Sequence, residues 1–258
     1  EEYMFTERVE FQGPHGKLAA KLDMPDGTPR AYGVFAHCFT CSKDVLAANR
    51  ISQGLAAHGI GMLRFDFAGL GASAGHFGDT NFSSNVEDLV AAAGFLRDKF
   101  AAPRLLVGHS MGGTAVLAAA HLIPESKAVV TIASPSDPHY VVNSLLHEHL
   151  DTIAQLGEAR VKLAGRDFNI RQQFVDDATQ HQLAERIAHL QRALLVMHAP
   201  NDDTVEIANA LRIFEIVPYP KRFVSLDGID HLVTGREDAA QVAAMIAAWS
   251  GRYIEEGR

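Results

Sequence analysis

The chain has 258 residues, 47% of them hydrophobic and 21% charged, with 21 glycines, 10 prolines and a formal net charge of −8. That composition belongs to an ordinary globular protein with room for one large α/β domain or two small ones, and it excludes collagen-like, coiled-coil and disordered classes. The acidic residues are spread along the chain and no basic stripe is available to neutralise phosphates, so nucleic-acid binding is not expected.

Short apolar runs alternate with longer helical stretches, the rhythm of repeated β-α units. The chain opens as a hairpin, with an alternating segment near residues 4–11, a Gly13-Pro14-His15-Gly16 turn and a return arm over 17–24. Strand-like runs follow at 32–36, 62–67, 105–107, 129–132, 194–197 and 223–226. Continuous apolar runs of this length predict a mostly parallel sheet of about eight strands, buried on both faces. Helices are expected over 45–58, ending at Gly59 as a C-cap, and over 85–100, with Ser83 and Ser84 as N-cap candidates and Pro103 beyond the end. Further helices are expected over 114–122, 206–216 and 239–249.

One stretch breaks the rhythm. Between Pro135 and Arg192 one helix would suffice to join two strands, yet the chain spends nearly sixty residues there. It holds a polar helical segment at 142–155, a hairpin with arms 161–164 and 168–174 around Gly165-Arg166, and a helix over 178–190. The expected organisation is a core of 1–134 and 193–258 with a small cap, 135–192, inserted over the carboxyl edge of the sheet. The longest apolar runs, 115–120 and 242–249, are far too short to span a membrane. No charged segment followed by an apolar one opens the chain, so no signal peptide is expected. The two cysteines, Cys38 and Cys41, lie three residues apart and cannot staple a fold of this size, so a reducing cytoplasm is the expected compartment.

The strongest chemical signal is Gly108-His109-Ser110-Met111-Gly112-Gly113, where a buried strand ends, a serine sits between glycines and an apolar helix begins at once. Acyl transfer needs a nucleophile lifted out on such a tight strand-to-helix turn, with small residues around it. A serine of ordinary acidity also needs a base, itself oriented by an acid, in the chain order serine, acid, histidine. Asp202 follows the run at 194–197 in a turn before the next helix, with Asp203 as its reserve, and His231 follows the run at 223–226. Ser110, Asp202 and His231 are therefore the expected triad. The N–H groups of Phe39, in the loop after the third strand, and of Met111, at a helix N-terminus, are the expected oxyanion donors.

Other signals receive quieter readings. Gly69-Leu70-Gly71-Ala72-Ser73-Ala74 loosely matches a dinucleotide fingerprint but does not lead straight into a helix, so no nicotinamide is expected. Cys38 and Cys41 read as structural, His147-Glu148-His149 as polar surface, and Arg64 and Asp66 as braces below the site. No metal or organic cofactor is called for. The expected substrate pocket draws on His37, Tyr140, Leu145, Leu146, Phe168 and Phe174.

The Gly108–Gly113 turn, Arg64-x-Asp66-x-x-Gly69-x-Gly71, the Asp202 turn and Asp230-His231 together resemble the α/β-hydrolase superfamily. More narrowly, residues 35–44, 81–85 and 225–228 resemble the bacterial hydrolases associated with or fused to OsmC-type domains. Cys38 departs from the wider pattern, in which glycine follows the histidine. The resemblance implies an α/β-hydrolase fold, the triad and oxyanion donors named above, and an OsmC-type domain as partner, with a homo-oligomer as the other option. The activity expected is hydrolysis of small carboxylic esters, with aromatic or short acyl groups, through an acyl-enzyme on Ser110. A thioesterase, a peptidase, a carbon–carbon bond hydrolase and a non-catalytic scaffold docking an OsmC-like partner are the alternatives.

Overall fold

The computed structural model describes residues 5–163, 165–218 and 220–255. Met4 and Ala164, at the edges of two expected arms, lie outside the described residues. The chain begins with a hairpin of β1 (Phe5–Gly13) and β2 (Gly16–Met24). It continues through β3 (Ala31–Ala36), α1 (Leu46–Ala57), β4 (Ile60–Phe65), α2 (Phe82–Lys99), β5 (Leu105–His109), α3 (Met111–Ala119) and β6 (Ala128–Ile132). An insert follows, made of α4 (His139–Leu145), α5 (Leu150–Leu156), β7 (Glu158–Leu163), β8 (Arg166–Arg171), α6 (Gln172–Gln180) and α7 (Leu183–Ala188). The core resumes with β9 (Ala193–His198), α8 (Ala208–Ile216), β10 (Lys221–Ser225) and α9 (Arg236–Ile254).

Eight strands form one sheet in the order β1-β2-β4-β3-β5-β6-β9-β10. The β1–β2 and β2–β4 pairs are antiparallel and the remaining pairs parallel, which is the mostly parallel α/β-hydrolase sheet that the sequence predicts. Side chains alternate across it, as the pleat requires. Leu106, Val129 and Leu194 join the core under α2 and α3, while Leu105, Val130 and Leu195 join the core under α1 and α9. Both faces are sealed, so the inner strands read as unbroken apolar runs.

The boundaries carry corrections. Helix α2 starts three residues earlier than expected, because Asn81 rather than Ser83 or Ser84 is its N-cap. The Asn81 side chain accepts the Ser84 N–H, and Ser84 Oγ accepts the Asn81 N–H, at 2.9 Å each. In the insert, the single polar helix expected at 142–155 is two helices, with Gly157 ending the second at φ 80°. The helix expected at 178–190 is also two, separated at His181 and Gln182. Phe174 belongs to α6 and not to a hairpin arm: Phe174 and Ala178, one helical turn apart, are both buried. Among the described residues no helix is long and apolar enough to cross a membrane.

Candidate active site

Ser110 stands between β5 and α3 with φ 54° and ψ −127°, a backbone conformation costing a non-glycine residue about 1–3 kcal/mol. Its N–H donates to the Ile132 carbonyl at 2.8 Å, fixing the turn to β6. Flanking glycines make the turn feasible: a Cβ on Gly108 would collide with the Gly112 carbonyl, and one on Gly112 with the Ala36 carbonyl. The second collision shows how closely the nucleophile turn abuts the end of β3.

The turn after β9 brings Asp202 in from one side, and the loop after β10 brings His231 from the other. His231 Nδ1 lies 2.8 and 3.0 Å from the two Asp202 carboxylate oxygens, and its Nε2 lies 3.2 Å from Ser110 Oγ. An ionised carboxylate only accepts, so Nδ1 carries the proton and Nε2 is left bare toward the serine hydroxyl. Asp202 Oδ1 also accepts the N–H groups of Thr204 and Val205 at 2.9 and 2.8 Å. Burial alone would push the Asp202 carboxyl up, but hydrogen bonds from His231, Val205 and Thr204 outweigh it and hold the group below the usual carboxylate range. Asp203 is exposed and engages the Thr204 hydroxyl instead.

Two histidines that the sequence reading did not single out hold this pair in place. His109, the residue before the nucleophile, contacts the His231 carbonyl through Nε2 at 2.7 Å. His198, the last residue of β9, contacts the Val205 carbonyl through Nε2 at 2.7 Å and lies 3.6 Å from Asp202. A carbonyl only accepts, so both rings are Nε2–H tautomers with a bare, buried Nδ1. Burial pushes both below the ordinary histidine value, His109 to about 4. Asp230 secures the same loop by accepting from the N–H of Leu232 and the hydroxyl of Thr234.

The loop after β3 is tied at several points. His37 Nδ1 donates to the Cys38 carbonyl at 2.8 Å, and its Nε2 accepts the Phe67 N–H at 3.4 Å. Burial pushes His37 down to about 4, in keeping with a neutral ring that serves as donor and acceptor at once. The Cys38 carbonyl also accepts the Cys41 N–H at 3.1 Å. Cys38 and Cys41 are joined as a disulfide, with Cα atoms 5.3 Å apart. The bond staples one turn rather than the fold, in keeping with a structural pair and at odds with the reducing compartment expected from the sequence. Thr40, inside the ring, is buried and left-handed at φ 61°. Its carbonyl accepts a hydrogen bond from Arg166 of β8. Lys43 and Ala72 donate to the wholly buried Asp66, and Arg64 bridges Asp23, Asp44 and the Lys43 carbonyl. The glycine-rich segment at 69–71 is thus a turn wrapped on a carboxylate: a side chain on Gly71 would strike Asp66.

Of the residues expected to line the pocket, the structure gathers some and disperses others. Phe39 packs against Phe77 and Phe174 with ring centroids 5.6 and 5.3 Å apart, and Phe168 packs on Phe77 at 4.8 Å. Phe168 and Phe174 therefore form an aromatic cluster with Phe39 and Phe77 at the loop after β3. His37 is buried, bonds the Cys38 carbonyl, and borders a small cavity with Phe39 and Met111. Leu146 is sealed in the core with no free surface, Leu145 is exposed on α4, and the Tyr140 hydroxyl donates to the Thr204 carbonyl beside the acid. A groove of about 390 Å³ that the sequence did not reveal is bounded by Cys38, Cys41, Leu46 and Arg166, and by His109 and Leu232, the chain neighbours of Ser110 and His231 rather than those residues themselves. Among the described residues no group of three or more histidine, cysteine, aspartate or glutamate side chains is placed to hold a metal ion.

The profile of the family described as serine aminopeptidase, S33 (Hydrolase_4) matches residues 27–175, more than half of the chain. The chain belongs to that family. Its fold matches the esterase domain of a Rhodothermus marinus protein at 45% identity and TM-score 0.80, covering 97% of this chain and 99% of that one. Est1E from Butyrivibrio proteoclasticus, solved with ferulic acid bound, shares the fold at TM-score 0.81 and 19% identity, over 95% of this chain and 99% of that one. The rat mitochondrial palmitoyl-protein thioesterase ABHD10 is 27% identical over 168 residues, 63% of this chain and 55% of that protein. The chain thus aligns with little more than half the length of that relative. These relationships make the chain an α/β-hydrolase of a serine hydrolase family.

Proposed function

We propose that this protein hydrolyses carboxylic esters through an acyl-enzyme on Ser110. The observation that carries the reading is the continuous chain from Asp202 through His231 to Ser110 Oγ, with the serine on a strained turn at a helix N-terminus. Ser110 Oγ attacks the ester carbonyl carbon while His231 Nε2 takes its proton, and Asp202 stabilises the resulting imidazolium. The oxyanion then forms beside the helix N-terminus. Met111, the first residue of α3, has an N–H with no intrahelical acceptor, and the Phe39 N–H has no acceptor among the described residues. His231 next returns the proton to the leaving alcohol, activates water and releases the acid.

The esterase domain at 45% identity and the largely apolar groove support an ester with an apolar acyl or alcohol part. The insert contributes Arg166 to that groove, while its Phe168 and Phe174 pack with Phe77 and Phe39 behind the loop after β3. A thioester is the second reading, favoured by the likeness to a palmitoyl-protein thioesterase.

Mass spectrometry after fluorophosphonate treatment, wild type against Ser110→Ala, tests the nucleophile. A single adduct on Ser110, absent from the variant, is expected. No adduct on folded wild type would sink the hydrolase reading and leave a scaffold that docks an OsmC-type partner. Parallel rates on p-nitrophenyl esters, acyl-thioesters and aminoacyl amides then rank the substrate classes, and faster amide turnover would overturn the ester assignment.

A further inference from the structure

We propose that the Cys38–Cys41 disulfide is a redox-addressable clamp on the oxyanion peptide, opened by a dithiol reductant that enters the groove both cysteines line. This rests on the ester-hydrolase reading above. The peptide between Cys38 and Phe39 carries the Phe39 N–H at one end and the Cys38 carbonyl at the other, so fixing the carbonyl fixes the donor. Two hydrogen bonds hold that carbonyl, from His37 Nδ1 at 2.8 Å and the Cys41 N–H at 3.1 Å. Both also polarise the peptide and strengthen its N–H as a donor. The second bond exists only while the Cys38–Cys41 turn stays closed. Closure holds Thr40 in the left-handed region, which a β-branched residue adopts only under constraint. The disulfide is that constraint, with the Arg166 contact to the Thr40 carbonyl as a weaker tie.

Both sulfur-bearing residues line the groove of about 390 Å³, and Cys41 is the more exposed of the two. A dithiol attacks there as its thiolate: a mixed disulfide forms on Cys41 Sγ, and the Cys38 thiolate leaves and takes a proton. The second reductant thiol then displaces Cys41, so two electrons and two protons pass to the protein and the reductant ends as a disulfide. Thr40 relaxes toward negative φ, the Cys41 N–H leaves the Cys38 carbonyl, and the Phe39 N–H loses its aim.

The test compares air-oxidised and dithiothreitol-reduced enzyme on one p-nitrophenyl ester, with alkylation and mass analysis counting thiols in each. Reduction is expected to expose two thiols and lower kcat about 10- to 100-fold, less than the roughly 10²–10³ that follows outright loss of an oxyanion donor. KM should stay within about twofold, because the donor acts on the tetrahedral state and not on bound ester. Reoxidation should restore the rate, and a Cys38→Ser/Cys41→Ser variant should show the low kcat with no response to dithiothreitol. An unchanged kcat in fully reduced enzyme would overturn the proposal, and so would a double variant with wild-type kcat. A loss that accompanies collapse of the near-ultraviolet circular dichroism would also overturn it, since the bond would then hold the fold rather than the peptide. Oxidised enzyme that neither turns over ester nor labels at Ser110 would fail the hydrolase reading itself.

Discussion

Acid should unfold this protein unusually early, because two of the rings that hold the candidate site must stay uncharged. His37 and His109 are each pushed by burial from 6.5 to about 4. His37 Nε2 accepts the Phe67 N–H, so a proton there breaks that bond, and a proton on His109 Nδ1 would sit in a buried position with no acceptor. Both folded values lie below the unfolded one. The stability they contribute is therefore full above pH 6.5 and is lost as pH falls toward 4. At about 1.4 kcal/mol per unit, each ring accounts for about 3 kcal/mol by pH 4. Asp88 opposes them: burial raises its carboxyl from 3.8 to about 6, so its contribution grows as pH falls through that range and returns about 3 kcal/mol. These three groups together account for a loss of about 3 kcal/mol between pH 7 and pH 4, a large part of the stability of a typical domain, and His198 and His181, also held below the ordinary histidine value by burial, add to it. Urea melts at several pH values, followed through the single Trp249, measure it. His109→Gln should halve the share of His37 and His109, since a glutamine amide can donate to the His231 carbonyl without titrating. Unfolding free energies that stay flat or rise from pH 7 to 4 would refute the reasoning, as would a His109→Gln slope equal to wild type.

Two further substitutions probe separate parts of the argument. Asp202→Asn keeps the shape but presents an amide to His231, favouring the wrong tautomer, and kcat should fall by about 10⁴ with the fold intact. A loss below tenfold would mean that Asp202 does not orient the base. Asp88→Asn removes a buried carboxyl that has one oxygen unpaired while the other accepts the Ala68 N–H. The variant should be more stable than wild type at pH 8, by up to about 3 kcal/mol, with the gap closing toward pH 4. A gap independent of pH, measured by the same urea melts, would show that burial does not raise the Asp88 carboxyl.

Much of the architecture was legible because the sheet is sealed on both faces. Strands such as Leu105–His109 and Ala193–His198 are apolar up to a closing histidine and announce themselves without periodicity. The meeting of Ser110, Asp202 and His231 was legible for a related reason: each sits just past a strand, so order and position survive in the linear sequence. The insert was less readable. Its helices are short and bury only a few residues each, so their breaks leave little trace in composition. Leu146 shows a second limit, since an apolar side chain has the same letter whether it faces a ligand or the core. His109 and His198 show a third. Their partners are backbone carbonyls, one of them 122 residues away, and a carbonyl carries no residue-type signal.

Contacts between the insert and the core bear on the proposed reaction at Ser110. A cap that swings open needs few ties to the core, yet this insert has many. Asp177 accepts from the N–H and hydroxyl of Ser83, Gln173 bonds the Asn81 side chain and the Thr80 carbonyl, and Arg166 holds the Thr40 carbonyl. Val142, Leu146, Val161, Ile170, Phe174 and Ile187 are also built into the core shared with α2 and α3, so lifting the insert would expose apolar surface along its whole length. The groove between Leu46, Arg166 and Leu232 stands open without lifting the insert, and Leu232 at its rim is an exposed side chain. The insert is therefore built as a fixed wall. Because Arg166 holds the Thr40 carbonyl and Phe174 packs on Phe39, changes in that wall should reach kcat as well as substrate choice if Phe39 donates to the oxyanion as proposed.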